Sequence, residues 1–371
     1  MSIATLTLVV AVGLLGPLLA YPKRLGLPAV AGELLAGVLI GQTGTHWVHP
    51  ADRGFTFLAD IGFALVMFVA GSRVPMRDPS LKVALRLGLT RAVLVGVVAT
   101  ALGLALSAAF GTHHAGIYAV LMASSSAAFV LPALRSHSLT SPELLRLVPQ
   151  VAIADAASIV ALPLVIDTGH AARAALGALA IIGCAGVLYL ILSRAEAIGL
   201  RRRLHRVSEA REFALELRIS LLILLALAAL AQQTRVSIML AGFSFGLVVS
   251  AIGEPKRLAR QLFGLTEGLF GPLFFVWLGA SLNLRDLGTH SSFIGLGVLL
   301  GVGAVAAHGA GLLTRQPPTI AVLSSAQVGV PVAAAALGAQ LHLLRPGEGS
   351  ALLLGAVVTV VAATIAGRAL K

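Results

Sequence analysis

Read from its first residue, the chain alternates long apolar runs with short polar links. A helix that spans a bilayer needs about 20 mainly apolar residues. Thirteen runs approach that length, near 3–20, 28–43, 55–72, 87–110, 115–134, 147–166, 171–193, 213–232, 236–251, 261–283, 292–313, 318–342 and 349–368. The pattern predicts an all-α polytopic membrane protein with about 13 transmembrane helices. Several runs are short or interrupted by Pro and Gly, which irregular backbone at lipid depth requires.

Composition agrees with this reading. Of 371 residues, 58% are hydrophobic and 11% charged, and the mean hydropathy is +0.96. Soluble domains carry about 25% charged residues. The pI of 11.2 does not point to nucleic acid, because the bases sit in links between apolar runs and not on an aromatic-interleaved surface. Nineteen of them, from Lys23 and Arg24 through the Arg201–Arg206 cluster to Lys371, fall in odd-numbered links and the C-terminus. Five, Arg53, Arg173, Arg235, Arg285 and Arg345, fall in even-numbered links. That asymmetry predicts a cell-membrane protein with its N-terminus outside and its C-terminus cytoplasmic. The single cysteine, Cys184, implies no disulfide framework and no metal site. Residues 3–20 lack a basic stretch before them and are expected to be a retained first helix.

Two stretches resemble each other. Residues 58–78, with Asp60, Gly71 and Arg77-Asp78, share their spacing with 265–286, with Glu267, Gly279 and Arg285-Asp286. The preceding runs share Ala-Gly at 31–32 and 241–242, and a second glycine at Gly37 and Gly246. The offset amounts to seven spans, and an odd number inverts the second copy in the membrane. Inverted repeats are a mark of secondary transporters, whose substrate site lies near the midplane. The expected organisation is a single membrane domain, 1–371, with a first repeat at about 1–166, a linker helix at about 171–193 and a second repeat at about 212–368.

Corresponding runs of the two copies are polar at corresponding places. The fifth carries Ser124-Ser125-Ser126 followed by Pro132, and the twelfth carries Ser324-Ser325-Ala326-Gln327-Val328-Gly329-Val330-Pro331. Both are predicted to be broken helices, with freed backbone groups able to coordinate a cation. Between them in the chain, Val151–Val160 holds one carboxylate, Asp155, in a run otherwise apolar enough for lipid. An acid at mid-bilayer costs roughly 2.5–3.5 kcal/mol on insertion scales, so Asp155 is the first candidate site residue.

The chain resembles the monovalent cation:proton antiporter superfamily, in particular its Kef-type branch of Na+(K+)/H+ exchanger membrane domains. The resemblance rests on Gly32-Glu33-Leu34-Leu35-Ala36-Gly37-Val38-Leu39-Ile40-Gly41, on Asp60–Gly71, on Ser124-Ser125-Ser126-Ala127 and on Pro272-Leu273-Phe274-Phe275-Val276-Trp277-Leu278-Gly279, in that order along nearly the whole chain. It implies the antiporter fold, a homodimer, and Asp155 at the position of the family's ion- and proton-binding aspartate. The chain also departs from the pattern. Ala154 stands where the family has Asp, Asn or Gln; Val330-Pro331 replaces Glu-Phe; and the eleventh run has no lysine, only His308.

These residues predict exchange of Na+ or K+ for protons by alternating access, since one carboxylate can hold a proton or a desolvated cation but not both. Ser125, Ser126, Ser158 and Gln327 are the candidate oxygen ligands, a donor set suited to a hard ion. Glu33 is a candidate for a proton path, and His308 for a cationic partner. With one acid and no partner acid or lysine, exchange is expected to be electroneutral. The departures motivate an alternative, a non-transporting sensor or partner subunit on the same fold, and a channel-like or organic-solute carrier on the same scaffold is a third reading. No cofactor and no metal beyond the transported cation are expected, and no nucleophile–base pair or phosphate loop suggests an enzyme.

Overall fold

A computed structural model describes residues 1–21, 29–72, 79–126, 129–130, 142–166, 171–199, 213–234, 236, 238–253, 256–282, 284–289 and 291–369. All regular structure among them is helical. The helices are α1 (Ile3–Gly13), α2 (Leu15–Ala20), α3 (Ala29–Ile40), α4 (Arg53–Ser72), α5 (Pro79–Phe110), α6 (Ala115–Ala123), α7 (Pro142–Ile166), α8 (Ala171–Ala197) and α9 (Leu215–Gln233). They continue with α10 (Ile238–Ile252), α11 (Lys256–Leu265), α12 (Gly271–Ser281), α13 (Leu284–Thr289), α14 (Ser291–His308), α15 (Pro318–Ser324), α16 (Gly329–Gln340) and α17 (Glu348–Arg368). A π-turn, Thr266–Phe270, joins α11 to α12, and a 3-10 turn, Gly309–Thr314, extends α14.

Helix occurs within all thirteen apolar runs. Among the described residues, ten stretches are long and apolar enough to cross a membrane. The runs at 28–43, 115–134 and 236–251 hold shorter helices, α3, α6 and α10, of 12, 9 and 15 residues. The Arg201–Arg206 cluster, Pro132 and Ala127 lie outside the described residues.

The chain forms two compact units, each drawn from both halves of the sequence: Met1–Leu19, Pro28–Arg77 and Ala172–Ser281 in the first, and Ala20–Leu27, Asp78–Ala171 and Leu282–Lys371 in the second. In the first, α3 packs on α12 and α4 on α10. Asp52 starts α4 by accepting the Gly54 and Phe55 amides at 2.8 and 3.1 Å, an N-cap that satisfies donors the helix cannot.

Lipid supplies no hydrophobic force between helices, so close contact depends on small residues. A Cβ on Gly37 would stand 2.8 Å from Gly279 Cα, and one on Gly279 3.0 Å from Gly37 Cα. A Cβ on Gly71 would lie 3.1 Å from Gly246 Cα, and one on Gly246 2.9 Å from Gly71 C. These are four of the six glycines that the two copies share, Gly32 and Gly242 being the others. Gly37 of the first copy meets Gly279 of the second, and Gly246 of the second meets Gly71 of the first. Ring stacking follows the same helices, Phe63 on Phe274 at 4.7 Å and Phe68 near Phe245 at 5.1 Å.

In the second unit, α5 packs on α6, α7 and α14, while α17 packs on α14, α15 and α16. Helix α7 is covered by α5, α6, α15 and α16, so the helix carrying Asp155 touches both broken segments.

Substituting Gly37→Ala or Gly246→Ala should destabilise the detergent-solubilised protein by about 1–3 kcal/mol through overpacking. Gly96→Ala in α5, where a Cβ meets nothing within 4 Å, should be neutral or stabilising, because Ala is the better helix former. Thermal unfolding of the three variants checks this.

Candidate functional site

Asp155 sits on the buried face of α7. Leu147, Val151, Asp155, Ser158, Ile159 and Leu162 are all buried, and their spacing of three and four residues lines one side of a helix. Leu147 and Val151 pack in one cluster with Val130, Ile320, Leu323, Ala326 and Ala363. Asp155 therefore lies one turn along α7 from side chains that touch the second break. Pro163 lies inside the same helix. Lacking an N–H, it leaves the Ile159 carbonyl, one turn past Asp155, without its usual helical partner.

Both breaks form where the polar residues predict them. Helix α6 ends at Ala123, and Ser124 turns to extended backbone at φ −71°, ψ 153°. Helix α15 ends at Ser324, and helix resumes with α16 at Gly329. At each end, serine hydroxyls return to their own helix. Ser124 Oγ donates to Leu121 O, Ser324 Oγ to Ala321 O and Ser325 Oγ to Val322 O, all at 2.7 Å.

The breaks then bond to each other. Ser125 Oγ donates to Ser324 O at 2.7 Å, and Ser126 N–H donates to Ala326 O at 2.8 Å. Two carbonyls expected to be free for a cation are thus each half-engaged, with one lone pair spent on the partner break. Ser126 O accepts the Phe129 and Val130 amides at 3.1 and 2.9 Å. The Gln327 N–H goes to Thr359 Oγ1 on α17 at 3.2 Å, and Gln327 Nε2 is buried without a hydrogen-bond partner among the described residues.

The structure gathers Asp155, Ser158, Ser125, Ser126 and Gln327 into the second unit, all buried. His308 is in the same unit, wholly enclosed, with Nδ1 donating to Ala304 O of its own helix at 3.0 Å. Glu33 is buried in the first unit, against Gly16. Of the predicted site residues, the second unit holds one carboxyl, Asp155, with hydroxyl and carboxamide side chains. Groups of three or more His, Cys, Asp or Glu side chains that could hold a resident metal are absent among the described residues.

Two polar clusters escaped the sequence reading. In one, the wholly buried Arg91 donates from Nε to Thr314 Oγ1 at 2.8 Å, and Gln316 Nε2 donates to Gln150 Oε1 at 2.9 Å. Together these bonds hold the link between α14 and α15 against α5 and α7. In the other, buried Glu348 accepts from His114 Nδ1 and Tyr118 Oη at 2.6 Å each, and from Arg345 N at 2.9 Å. That cluster joins the start of α6 to the start of α17. An acid beginning an apolar run was the only available signal, and it reads equally well as an ordinary helix-start carboxylate.

The second unit thus holds two mutually bonded breaks and, packed against their helices, a helix with a buried acid, in a chain of membrane-length helices. The profile of the family "Sodium/hydrogen exchanger, transmembrane" matches residues 9–370, and the chain belongs to that family. It is 24% identical over 380 residues, 96% of this chain and 61% of the relative, to the putative Na(+)/H(+) antiporter YjbQ of Bacillus subtilis. It is 28% identical over 281 residues, 72% of this chain and 43% of the relative, to the glutathione-regulated potassium-efflux system protein KefC of Cronobacter sakazakii. The chain thus spans about three-fifths of the first relative's length. The solved sodium proton antiporter MjNhaP1 from Methanocaldococcus jannaschii has the same fold, with TM-score 0.65, 17% identity, and coverage of 98% of this chain and 95% of that one.

Glu348→Leu would leave the His114, Tyr118 and Arg345 donors without their acceptor, at about 1–3 kcal/mol for each donor that stays buried. The expected result is a clear fall in melting temperature, smaller for Glu348→Gln, which keeps one acceptor oxygen.

Proposed function

We propose that the protein exchanges a monovalent cation, Na+ or K+, for protons by alternating access around Asp155. The observation that carries this reading is the placement of a single buried acid on the face of α7 that packs against both crossed breaks. The carboxyl holds a proton in one half-cycle and a desolvated cation in the other. Ser125 and Ser126 offer hydroxyl lone pairs to that cation, Ser158 a hydroxyl on the same helix face as Asp155, and Gln327 a carboxamide oxygen. Membership of the sodium/hydrogen exchanger family supports cation and proton as the cargo.

The reciprocal contacts of Gly37 with Gly279 and of Gly71 with Gly246 support the inverted-repeat reading, and with it a pair of alternating states related by exchange of the copies. The bias of basic residues supports an outward N-terminus and a cytoplasmic C-terminus. Glu33 and His308 have secondary roles in the proposal, as a proton path and a cationic partner. The His308 Nδ1 bond to Ala304 O leaves Nε2 as the nitrogen that can change protonation.

In proteoliposomes under an imposed pH gradient, the wild type should show proton flux dependent on Na+ or K+. Asp155→Asn, which cannot bind a proton there, should abolish it, and equal flux in both would refute the mechanism. No flux in either would instead indicate a sensor subunit. Exchange of one cation per proton also requires a rate indifferent to membrane potential. A rate that follows an applied potential at fixed ion gradients would rule out electroneutral exchange.

A further inference from the structure

The backbone groups released by the second break can be followed one at a time. Ser324 O and Ala326 O accept from Ser125 Oγ and Ser126 N–H of the first break. The Gln327 N–H is donated instead to Thr359 Oγ1 at 3.2 Å, on α17, which is neither of the crossing helices. Thr359 is fully buried, and its own proton goes to Ala356 O at 2.8 Å. That second bond fixes the hydroxyl: its hydrogen is committed to α17, so its lone pairs face the break. A threonine in a helix holds its Oγ1 by such a bond to the preceding turn, so the acceptor is pre-oriented.

Among the described residues, two buried side-chain amides, Gln150 and Gln327, leave Nε2 without a hydrogen-bond partner, and Gln327 is the one in the break. A buried donor with no acceptor is costly unless something else uses the group. A half-turn of the carboxamide exchanges nitrogen for oxygen at that position. The direction in which the carboxamide leaves the backbone is set where the backbone is pinned, at the amide Thr359 holds.

We propose that Thr359 is a positioning residue of the cation site: by accepting the Gln327 amide it holds the second break so that the Gln327 carboxamide oxygen is presented to the monovalent cation. This rests on the exchange reading of the same site. It makes α17 a fourth element of the cation site, in addition to the two broken helices and α7. Its link to cation affinity sets it apart from a cap that serves stability alone.

The test compares full-length wild type, Thr359→Val and Thr359→Ser. Three quantities are measured: hydrogen exchange of the 325–331 backbone in detergent, binding of radiolabelled Na+ and Rb+ to the purified protein, and cation KM against maximal rate in proteoliposomes. Thr359→Val should speed exchange at Gln327 and raise cation Kd and KM about five- to tenfold, in line with one lost buried hydrogen bond. The maximal rate should change less, and Thr359→Ser should stay close to wild type. If Thr359→Val does not fold, Thr359→Cys, with its weaker acceptor, should give an intermediate KM. Unchanged exchange at Gln327 overturns the proposal, as does faster exchange with unaltered Kd and KM and only a lower melting temperature. Loss of cation-driven proton flux in the wild type would refute the exchange reading instead. In that event radiolabelled cation binding decides Thr359: weaker binding in Thr359→Val supports the assignment, while unchanged binding, or none in the wild type, overturns it.

Discussion

A chain that interrupts its helices at lipid depth must find partners for the backbone groups it releases, and no water is available to take them. Here the two interruptions serve each other. Ser126 N–H meets Ala326 O and Ser125 Oγ meets Ser324 O, so each break supplies partners to the other. A further amide, at Gln327, is taken by Thr359. Hydroxyls close to each break, Ser124, Ser324 and Ser325, return to their own helices. The result is a polar zone inside an apolar bundle whose oxygens are largely pre-oriented. Such a zone suits a cation that must shed its water on entering, because the protein's dipoles are already aligned.

Other features of the second unit keep that zone in register. Helix α7 lies along both breaks, with Leu147 and Val151 packed on the second. At one end the Arg91–Thr314 and Gln150–Gln316 bonds tie the approach to α15 against α5 and α7. Glu348, with His114 and Tyr118, ties the first turn of α6 to the first turn of α17. Helices α6 and α7 and the approach to α15 are thus anchored by polar bonds in addition to packing. The first unit works differently, through glycines that bring backbones together: Gly37 against Gly279, and Gly71 against Gly246.

Much of this was legible in the residues, for a physical reason. A lipid environment enforces a simple code, apolar runs of fixed length with polar atoms only where something uses them. That is why Asp155, the serine triplet and Ser324–Gln327 stood out before any coordinates. Partner choice was not legible. Ser124, Ser125 and Ser126 are adjacent and chemically alike, yet one hydroxyl closes its own helix while its neighbour reaches a residue 199 positions away. Thr359 sat in an apolar run with nothing to separate it from Thr364, which bonds only to its own helix at Val360 O. Gln150 and Arg91 lie near the ends of apolar runs, with nothing local to name their partners.

Hydropathy, loop charge and the two similar stretches by themselves determined a many-helix membrane protein, the places of the breaks and the one acid worth following. Those are properties of local sequence, since the cost of burying a charge or a free amide in lipid is incurred residue by residue. The tertiary structure alone decided which freed carbonyl meets which donor, that a helix outside the crossing holds the Gln327 amide, and that Glu33 belongs to a different unit from Asp155. Those depend on which helices come together in space, and a hydrogen bond between residues two hundred positions apart leaves no periodic trace along the chain.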